Sequence, residues 1–118
     1  MKSAEAWEVW FEQNKEEMIQ TADDIFRHPE LSGQEIYSSG RLAAFLEKQG
    51  FSIQWKIAGF ETAFIAQWGS NKPVIGYLAE YDALPGLGQE PVSECRTDGG
   101  PGHGCGHNLL GTACAAAA

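Results

Sequence analysis

Basic residues are scarce in this sequence, and so are cysteines and long apolar runs. The 118 residues include 8 Lys and Arg against 16 Asp and Glu, which gives a net charge of −8 at pH 7. Nucleic-acid binding depends on cationic side chains that neutralise phosphates, so this balance argues against nucleic acid and anionic membrane surfaces as partners. No segment approaches the roughly 20 apolar residues of a membrane-spanning helix, and the acidic N-terminus lacks the pattern of a signal peptide. The sequence therefore predicts a soluble, cytoplasmic protein.

The sequence contains three cysteines, an odd number that cannot all pair within one chain. Without an export signal, reduced thiols are expected rather than a disulfide framework. Cys114 lies in a run of small residues and is interpreted as a buried structural thiol. Cys95 lies in a polar loop and indicates nothing specific, whereas Cys105 stands in a glycine-rich segment between two histidines.

A long amphipathic helix is predicted over residues 4–27, because apolar residues recur there at helical spacing. Ser3 is the expected N-cap, and Pro29 is expected to stop the helix. The aromatic stripe along this helix is expected to pack in the core, with a partner-binding face as the alternative. The stripe includes Trp7, Trp10 and Phe11.

A second helix is predicted to begin at Gly33, where Ser32 and Glu35 have the spacing of a capping box. It is predicted to end at Gly50, a glycine suited to the left-handed position that follows many helices. Phe51 is placed for the hydrophobic contact that accompanies such an ending.

Three strands are predicted after the second helix, where the apolar residues change from helical spacing to alternation. They cover 51–55, 62–68 and 74–79, with turn residues between them. The short connections favour an antiparallel pair, and the continuously apolar third strand is expected at the centre of the sheet. The expected fold class is therefore α/β, a mixed β-sheet with flanking helices.

The segment from Pro85 to Gly106 is rich in glycine and proline, and it is long for a connection inside a compact domain. It is expected to carry function or to be flexible. A helix with a small-residue face is predicted to begin at Asn108. The alanine run that ends at Ala118 contains no cap or stop signal, which suggests a truncated chain or a fragment of a longer one.

The strongest group of candidate ligands is His103, Cys105 and His107, which alternate with glycines. Glycines let the backbone approach an ion closely, and a thiolate with a neutral imidazole suits zinc. Two-residue spacing in an extended segment places Cys105 and His107 on one side, where they can reach one ion or two adjacent ions. A glycine-rich loop with solvated histidines and a thiol nucleophile with a histidine base are the alternatives.

Glu80 and Asp82 form a second candidate group, at the carboxyl end of the third predicted strand, where α/β sheets usually hold their sites. An aspartate there can accept the free N–H of a ligating imidazole and fix its tautomer. Ordinary solvation of a strand end is the alternative for both carboxylates.

Three segments together carry a family resemblance. They are HPELSGQE at 28–35, LAEYDALPGLG at 78–88 and GHGCGHNLLG at 102–111. They resemble the amidohydrolase branch of the two-metal aminoacylase and carboxypeptidase superfamily, and within it the aminobenzoyl-glutamate hydrolase B-subunit group most closely. The resemblance covers nearly all of the chain. It implies that residues 1–118 are the N-terminal part of a metallohydrolase catalytic domain.

The resemblance assigns roles to individual residues. Cys105 and His107 match the family's first two metal ligands, and Asp82 matches the catalytic carboxylate beside the metals. His103 matches a recurrent loop histidine that is expected near the ligands rather than among them, and Glu80 and Asn108 are likewise expected beside the ligands or on the substrate side. Many relatives have aspartate where Asn108 and Glu80 stand, and these departures are shared with the aminobenzoyl-glutamate-like branch.

The implied chemistry is metal-dependent hydrolysis of the amide bond of N-acyl or aminobenzoyl amino acids, with zinc or manganese as the divalent metal, two per complete site. The thiolate of Cys105 favours zinc, whereas carboxylate-rich partners favour manganese. The family completes its site with further ligands, a general-base glutamate and a smaller dimerising domain that this sequence does not contain. The chain alone is therefore expected to be inactive, and the parent enzyme is expected to be a homo- or hetero-oligomer.

A non-catalytic metal-binding or interaction module derived from the same fold is the alternative function. A thiol redox protein is a more distant alternative, since the sequence has no Cys-x-x-Cys pair.

Overall fold

The computed structural model describes residues 4–95 and 97–118, which form three α-helices and a two-stranded sheet. Ser3, the predicted cap of the first helix, lies outside the described residues. The predicted α/β class with flanking helices is confirmed. No helix in the described part of the chain has both the length and the apolar character needed to cross a bilayer. The elements are α1 (Ala4–Arg27), α2 (Ile36–Lys48), β1 (Ser52–Trp55), a 3-10 turn (Ile57–Gly59), β2 (Phe64–Gln67) and α3 (His107–Ala117).

The core lies where the C-terminal half of α1 packs against α2 and α3. Ile25 of α1 and Phe45 of α2 are almost fully buried. The prediction that the aromatic stripe packs in the core is wrong for Trp7 and Phe11, which are 47% and 38% exposed. The indole of Trp10 donates to Gln49, just beyond the end of α2, at 3.0 Å. The first turns of α1 extend past that contact, beyond the end of α2.

The second helix starts later than predicted. Gly33 has a φ of +82°, which does not fit a helix, and α2 begins at Ile36. The capping box of Ser32 with Glu35 is also wrong, because the Glu35 side chain turns into the protein and accepts the Thr62 hydroxyl at 2.7 Å. Glu35 is 6% exposed, so a tertiary contact takes the carboxylate that the sequence pattern assigns to the helix end.

Glu30 caps α2 instead. Its carboxylate accepts the backbone N–H groups of Tyr37 at 2.9 Å and Ser38 at 2.8 Å, and also the Ser38 hydroxyl at 2.8 Å. The first N–H groups of a helix have no partner within the helix, and a negative charge there also interacts favourably with the helix dipole. The cap ties the loop after α1 to the start of α2.

The predicted end of α2 is confirmed. Gly50 has a φ of +93°, its N–H donates to the Glu47 carbonyl, and the Phe51 N–H donates to the Leu46 carbonyl. This pair of bonds is the Schellman ending, which satisfies the last carbonyl groups of a helix. The chain then turns directly into β1.

The sheet contains β1 and β2, which are antiparallel with Ile53 opposite Ala66. The predicted third strand at 74–79 is wrong: none of these residues pairs in a strand, and Val74 and Leu78 are 84% and 95% exposed. Apolar composition predicts burial, but a strand also requires a neighbouring backbone to accept its N–H and C=O groups. No described segment supplies that neighbour.

The long segment after Pro85 closes on itself. Leu84 and Gly102 exchange two backbone hydrogen bonds of 3.0 and 2.9 Å, and the Gly88 N–H donates to the Gly100 carbonyl at 2.8 Å. A Cβ atom at Gly102 would lie 1.9 Å from the Leu87 carbonyl oxygen, so only glycine permits this approach. The closure places the glycine-rich segment beside the end of the predicted third strand.

Candidate metal centre

Two backbone bridges position the segment that contains Glu80 and Asp82. Ala83 forms a parallel bridge with Leu31, through a 2.7 Å hydrogen bond from its N–H to the Glu30 carbonyl. The antiparallel bridge between Leu84 and Gly102 then joins this segment to the GHGCGH motif that begins at Gly102. Two motifs that are about 20 residues apart in the sequence therefore meet in space.

The His107 ring lies between two carboxylates. Its Nδ1 is 2.8 Å from an Asp82 oxygen, and its Nε2 is 3.1 Å from a Glu80 oxygen. Ligand atoms from these three residues all lie within 4.8 Å of one another. The His107 and Asp82 side chains are 14% and 22% exposed, whereas Glu80 is 64% exposed. The sequence predicts Glu80 and Asp82 as one group and His107 as another, and the structure brings them together.

The donor set of this cluster suits a divalent cation. With the Asp82 carboxylate accepting the Nδ1–H group, Nε2 of a neutral ring carries a lone pair that points toward Glu80. A lone pair and a carboxylate repel each other unless a cation or a proton lies between them. Bond lengths of about 2.0–2.2 Å from zinc to histidine nitrogen and carboxylate oxygen place two such donors about 3.3 Å apart, close to the observed spacing. The residues therefore fit a metal ion.

Cys105 is not one of the three residues in this cluster. Its side chain is exposed, two residues before His107, with glycine on either side. Its role as a metal ligand stays a prediction. Cys114, interpreted from the sequence as buried, is partly exposed, and its thiol donates to the Leu78 carbonyl at 3.3 Å.

His103 and Asn108 flank the candidate ligands in the sequence, and both are buried. Nε2 of His103 donates to the Ile25 carbonyl at 3.1 Å, and Nδ2 of Asn108 donates to the Ala22 carbonyl at 3.2 Å. Burial lowers the pKa of His103, although its bond to the Ile25 carbonyl acts in the opposite direction. Both side chains thus contact α1 rather than the cluster.

Tyr81 is a positioning residue that the sequence reasoning missed. Its hydroxyl donates to the Thr62 carbonyl, and its ring stacks on Phe64 with centroids 6.1 Å apart. Burial, together with the nearby Glu35 carboxylate, raises the pKa of Tyr81 to about 12. The aromatic residue between two acidic residues was its only signal in the sequence.

Gly111 is a second missed residue. A Cβ atom at this position would lie 2.8 Å from the Glu80 carbonyl oxygen and 3.0 Å from a Leu42 methyl group. Glycine here lets α3 approach the acidic segment closely enough for His107, one turn earlier, to meet both carboxylates. The motif contained this glycine, but sequence spacing alone gives no sign of the contact.

An open groove of about 850 Å³ runs beside the cluster. Asp82 and His107 lie at its wall, together with the rings of Phe64 and Tyr81. Sites for small molecules typically combine an apolar lining with a few polar groups in a cleft of about 300–1,000 Å³. The volume of the groove lies within that range, and the cluster stands at its wall.

Known proteins resemble the chain over most of its length. It is 46% identical over 112 residues to the p-aminobenzoyl-glutamate hydrolase B-subunit of Escherichia coli strain K12, a match that covers 91% of this chain and 23% of that protein. It is 33% identical over 107 residues to the human Xaa-Arg dipeptidase, covering 80% of this chain and 21% of that protein. It is 31% identical over 103 residues to N-acetylcysteine deacetylase of Bacillus subtilis strain 168, covering 81% and 27%.

The chain spans about a quarter of the length of these curated relatives. No protein-family model matches it. The relatives are named as a hydrolase, a dipeptidase and a deacetylase. The chain therefore belongs to the amidohydrolase branch of the aminoacylase and carboxypeptidase superfamily.

Proposed function

We propose that this chain supplies part of the metal site of an amidohydrolase, with His107, Cys105 and Glu80 as ligands and Asp82 as the catalytic carboxylate beside them. The observation that carries the proposal is the His107 ring between the Glu80 and Asp82 carboxylates, with polar atoms of these three residues all within 4.8 Å of one another. Ordinary solvation explains one exposed carboxylate. It does not explain two carboxylates that converge on the two nitrogens of one largely buried imidazole.

The residues of the centre have separate roles in this proposal. Asp82 holds the Nδ1–H group of His107 and so keeps Nε2 available for the metal. Glu80 is mostly exposed, so its carboxylate can turn toward an ion without a large loss of packing. The glycines beside Cys105 give the loop the freedom to bring the thiolate to the same ion.

The proposed substrates are N-acyl or aminobenzoyl amino acids, cleaved at the amide bond. When bound, zinc or manganese would polarise the scissile carbonyl and lower the pKa of water at the site. The apolar wall formed by Phe64 and Tyr81 suits the acyl or aromatic half of such a substrate.

The activity is proposed for the full-length protein, because the chain spans about a quarter of its relatives. Residues 1–118 are proposed as the N-terminal part of its catalytic domain. The Escherichia coli relative is named as a subunit, which supports a homo- or hetero-oligomer.

The test measures bound metal and hydrolysis together in the full-length protein. Metal is quantified by mass spectrometry after gel filtration, and hydrolysis of p-aminobenzoyl-glutamate and of N-acetyl amino acids is followed by product chromatography. We expect His107→Ala to lose most of the bound metal and at least about a hundredfold in kcat/KM. Cys95→Ser, which changes an exposed cysteine outside the cluster, is the matched control and should retain both.

Two results would contradict the proposal. Normal metal content and normal hydrolysis in His107→Ala would show that His107 is not a metal ligand. A wild-type protein that binds metal tightly but hydrolyses neither substrate class would favour the non-catalytic metal-binding module.

A further inference from the structure

The ligand loop, defined as residues 104–107, is held at both ends by one helix. Immediately before the loop, Nε2 of His103 donates to the Ile25 carbonyl at 3.1 Å. Immediately after it, Nδ2 of Asn108 donates to the Ala22 carbonyl at 3.2 Å. Both acceptors lie in the last two turns of α1, one turn apart.

Both donors are deeply buried. His103 is 9% exposed and Asn108 is 6% exposed, and the His103 ring lies beside that of Phe26 with centroids 6.5 Å apart. A buried polar group that loses its partner destabilises the fold, because no water replaces the lost hydrogen bond. Nδ1 of His103 has no hydrogen-bond partner among the described residues. Within that part of the chain, the hydrogen bond of this ring is therefore the one from Nε2 to the Ile25 carbonyl. The two bonds are therefore strongly favoured over any arrangement that releases the loop from α1.

The loop has little stiffness of its own. Gly104 and Gly106 flank Cys105, and Gly106 has a φ of +78°. Glycine has the least restricted backbone of all residues, so a loop of this composition samples many conformations unless its ends are fixed. The position of the ligands then depends on the two contacts with α1 rather than on the loop itself.

We propose that His103 and Asn108 are positioning residues that fix the ligand loop on the end of α1 and thereby raise the metal affinity of the centre. This inference rests on the proposed function, because the position of the loop matters for affinity only where the loop holds a metal. It adds α1, an element with no candidate ligand, to the structures that determine the geometry of the centre.

The test uses four variants of the full-length protein. His103→Leu and Asn108→Leu each remove one donor at similar volume. His103→Gln keeps an amide N–H near the position of Nε2. Thr21→Val is the matched control, because it removes a fully buried hydroxyl of α1 whose 2.7 Å hydrogen bond goes to Glu17 within the same helix.

Two readouts separate positioning from general destabilisation. The first is the Zn²⁺ dissociation constant, from competition with a chromophoric chelator. The second is hydrogen exchange at the Leu109 and Leu110 amides in metal-free protein, since both donate to the Gly106 carbonyl at 3.0 Å. The first reports on the centre, and the second reports on the order of the loop.

We expect the dissociation constant to rise about 10- to 100-fold in each Leu variant. Exchange at the two amides should accelerate about tenfold, as local opening becomes easier. His103→Gln should recover most of the affinity. Thr21→Val should lower the melting temperature and leave the affinity unchanged.

Unchanged dissociation constants in both Leu variants would overturn the positioning role, whether or not exchange accelerates. Equal losses of affinity in Thr21→Val would overturn it as well, because they would show a general effect of stability. Unchanged exchange in the Leu variants would overturn the attachment of the loop to α1. A wild-type protein that binds no Zn²⁺ or Mn²⁺ would contradict the proposed function instead.

Discussion

Tyr81 donates its hydroxyl to the backbone carbonyl of Thr62, and its two neighbours in the chain, Glu80 and Asp82, both contact His107. Successive side chains of an extended segment point to opposite sides. The tyrosine therefore attaches the segment to the protein on one side, and this leaves both carboxylates to face the histidine on the other.

Tyr81→Phe should weaken both folding and metal binding. The change removes one hydrogen bond and leaves the Thr62 carbonyl without this donor, so we expect about 1–2 kcal/mol less stability in urea unfolding. It also releases the segment that holds Glu80 and Asp82, so bound metal should fall. Tyr77→Phe is the control, since Tyr77 is 51% exposed. Equal stability of the two variants would contradict the role of the Tyr81 hydroxyl.

Much of the candidate site could be predicted from the sequence, because its chemistry lies in two short segments. Asp82 contacts Nδ1 of His107, as the sequence predicted for an aspartate near that imidazole, while the ligand roles of the site residues stay predictions. Gly111 and Tyr81 were missed because they act through contacts with residues far away in the chain. Such contacts follow from the packing of α3 and β2 and leave no local pattern.

The errors in the fold have the same cause. The spacing of Ser32 and Glu35 fits a helix cap, but the buried bond from Thr62 to Glu35 outweighs it. The apolar residues at 74–79 fit a central strand, but strand pairing depends on a second segment that no single run of residues encodes. Helix ends that depend on one local residue, such as Gly50, were predicted correctly.

Glu30→Ala should destabilise the protein, whereas Ser32→Ala should not. Loss of the Glu30 carboxylate leaves the Tyr37 and Ser38 N–H groups without their cap, and we expect a cost of about 1–2 kcal/mol. Ser32 is exposed and does not cap the helix, so its substitution should change the unfolding free energy by less than about 0.5 kcal/mol. Urea unfolding of both variants measures this difference. A larger loss of unfolding free energy in Ser32→Ala would show that Ser32 caps the helix after all.

His103 should make the metal-free protein less stable in mild acid. Burial lowers its pKa below the ordinary value of 6.5, so the unfolded chain binds more protons than the folded chain as the pH falls through this value. Stability from this group is therefore present above about pH 6.5 and is lost as the pH drops toward the folded-state pKa. Urea unfolding between pH 5 and 8 in the presence of a chelator measures this loss.

His103→Leu has no imidazole at this position. Its free energy of unfolding should therefore be lower than that of the wild type at pH 8, and this difference should shrink as the pH falls. Thr21→Val removes a buried hydrogen bond without removing a titratable group, and its deficit should stay constant over the same range. If the difference in unfolding free energy between His103→Leu and the wild type stays constant from pH 8 to 5, the lowered pKa of His103 does not affect stability and the prediction is wrong.

Gly102→Ala and Gly40→Ala should have opposite effects. The added methyl group at Gly102 would lie 1.9 Å from the Leu87 carbonyl oxygen and 2.7 Å from the Gly88 nitrogen, and backbone atoms cannot give way as a flexible side chain can. We expect a loss of about 2–3 kcal/mol. Gly40 lies inside α2 with no atom within 4 Å of an added Cβ, so alanine there should stabilise the helix by about 1 kcal/mol.

The same pair of variants tests whether the closure at Gly102 positions the metal centre. If Gly102→Ala breaks the pairing of Gly102 with Leu84, the segment that leads to His107 shifts. His107 then moves relative to Asp82, and metal affinity falls together with stability. Gly40→Ala should leave the affinity unchanged because α2 contributes no candidate ligand. A Gly102→Ala protein with reduced stability and full metal affinity would show that the closure supports the fold without determining the geometry of the centre.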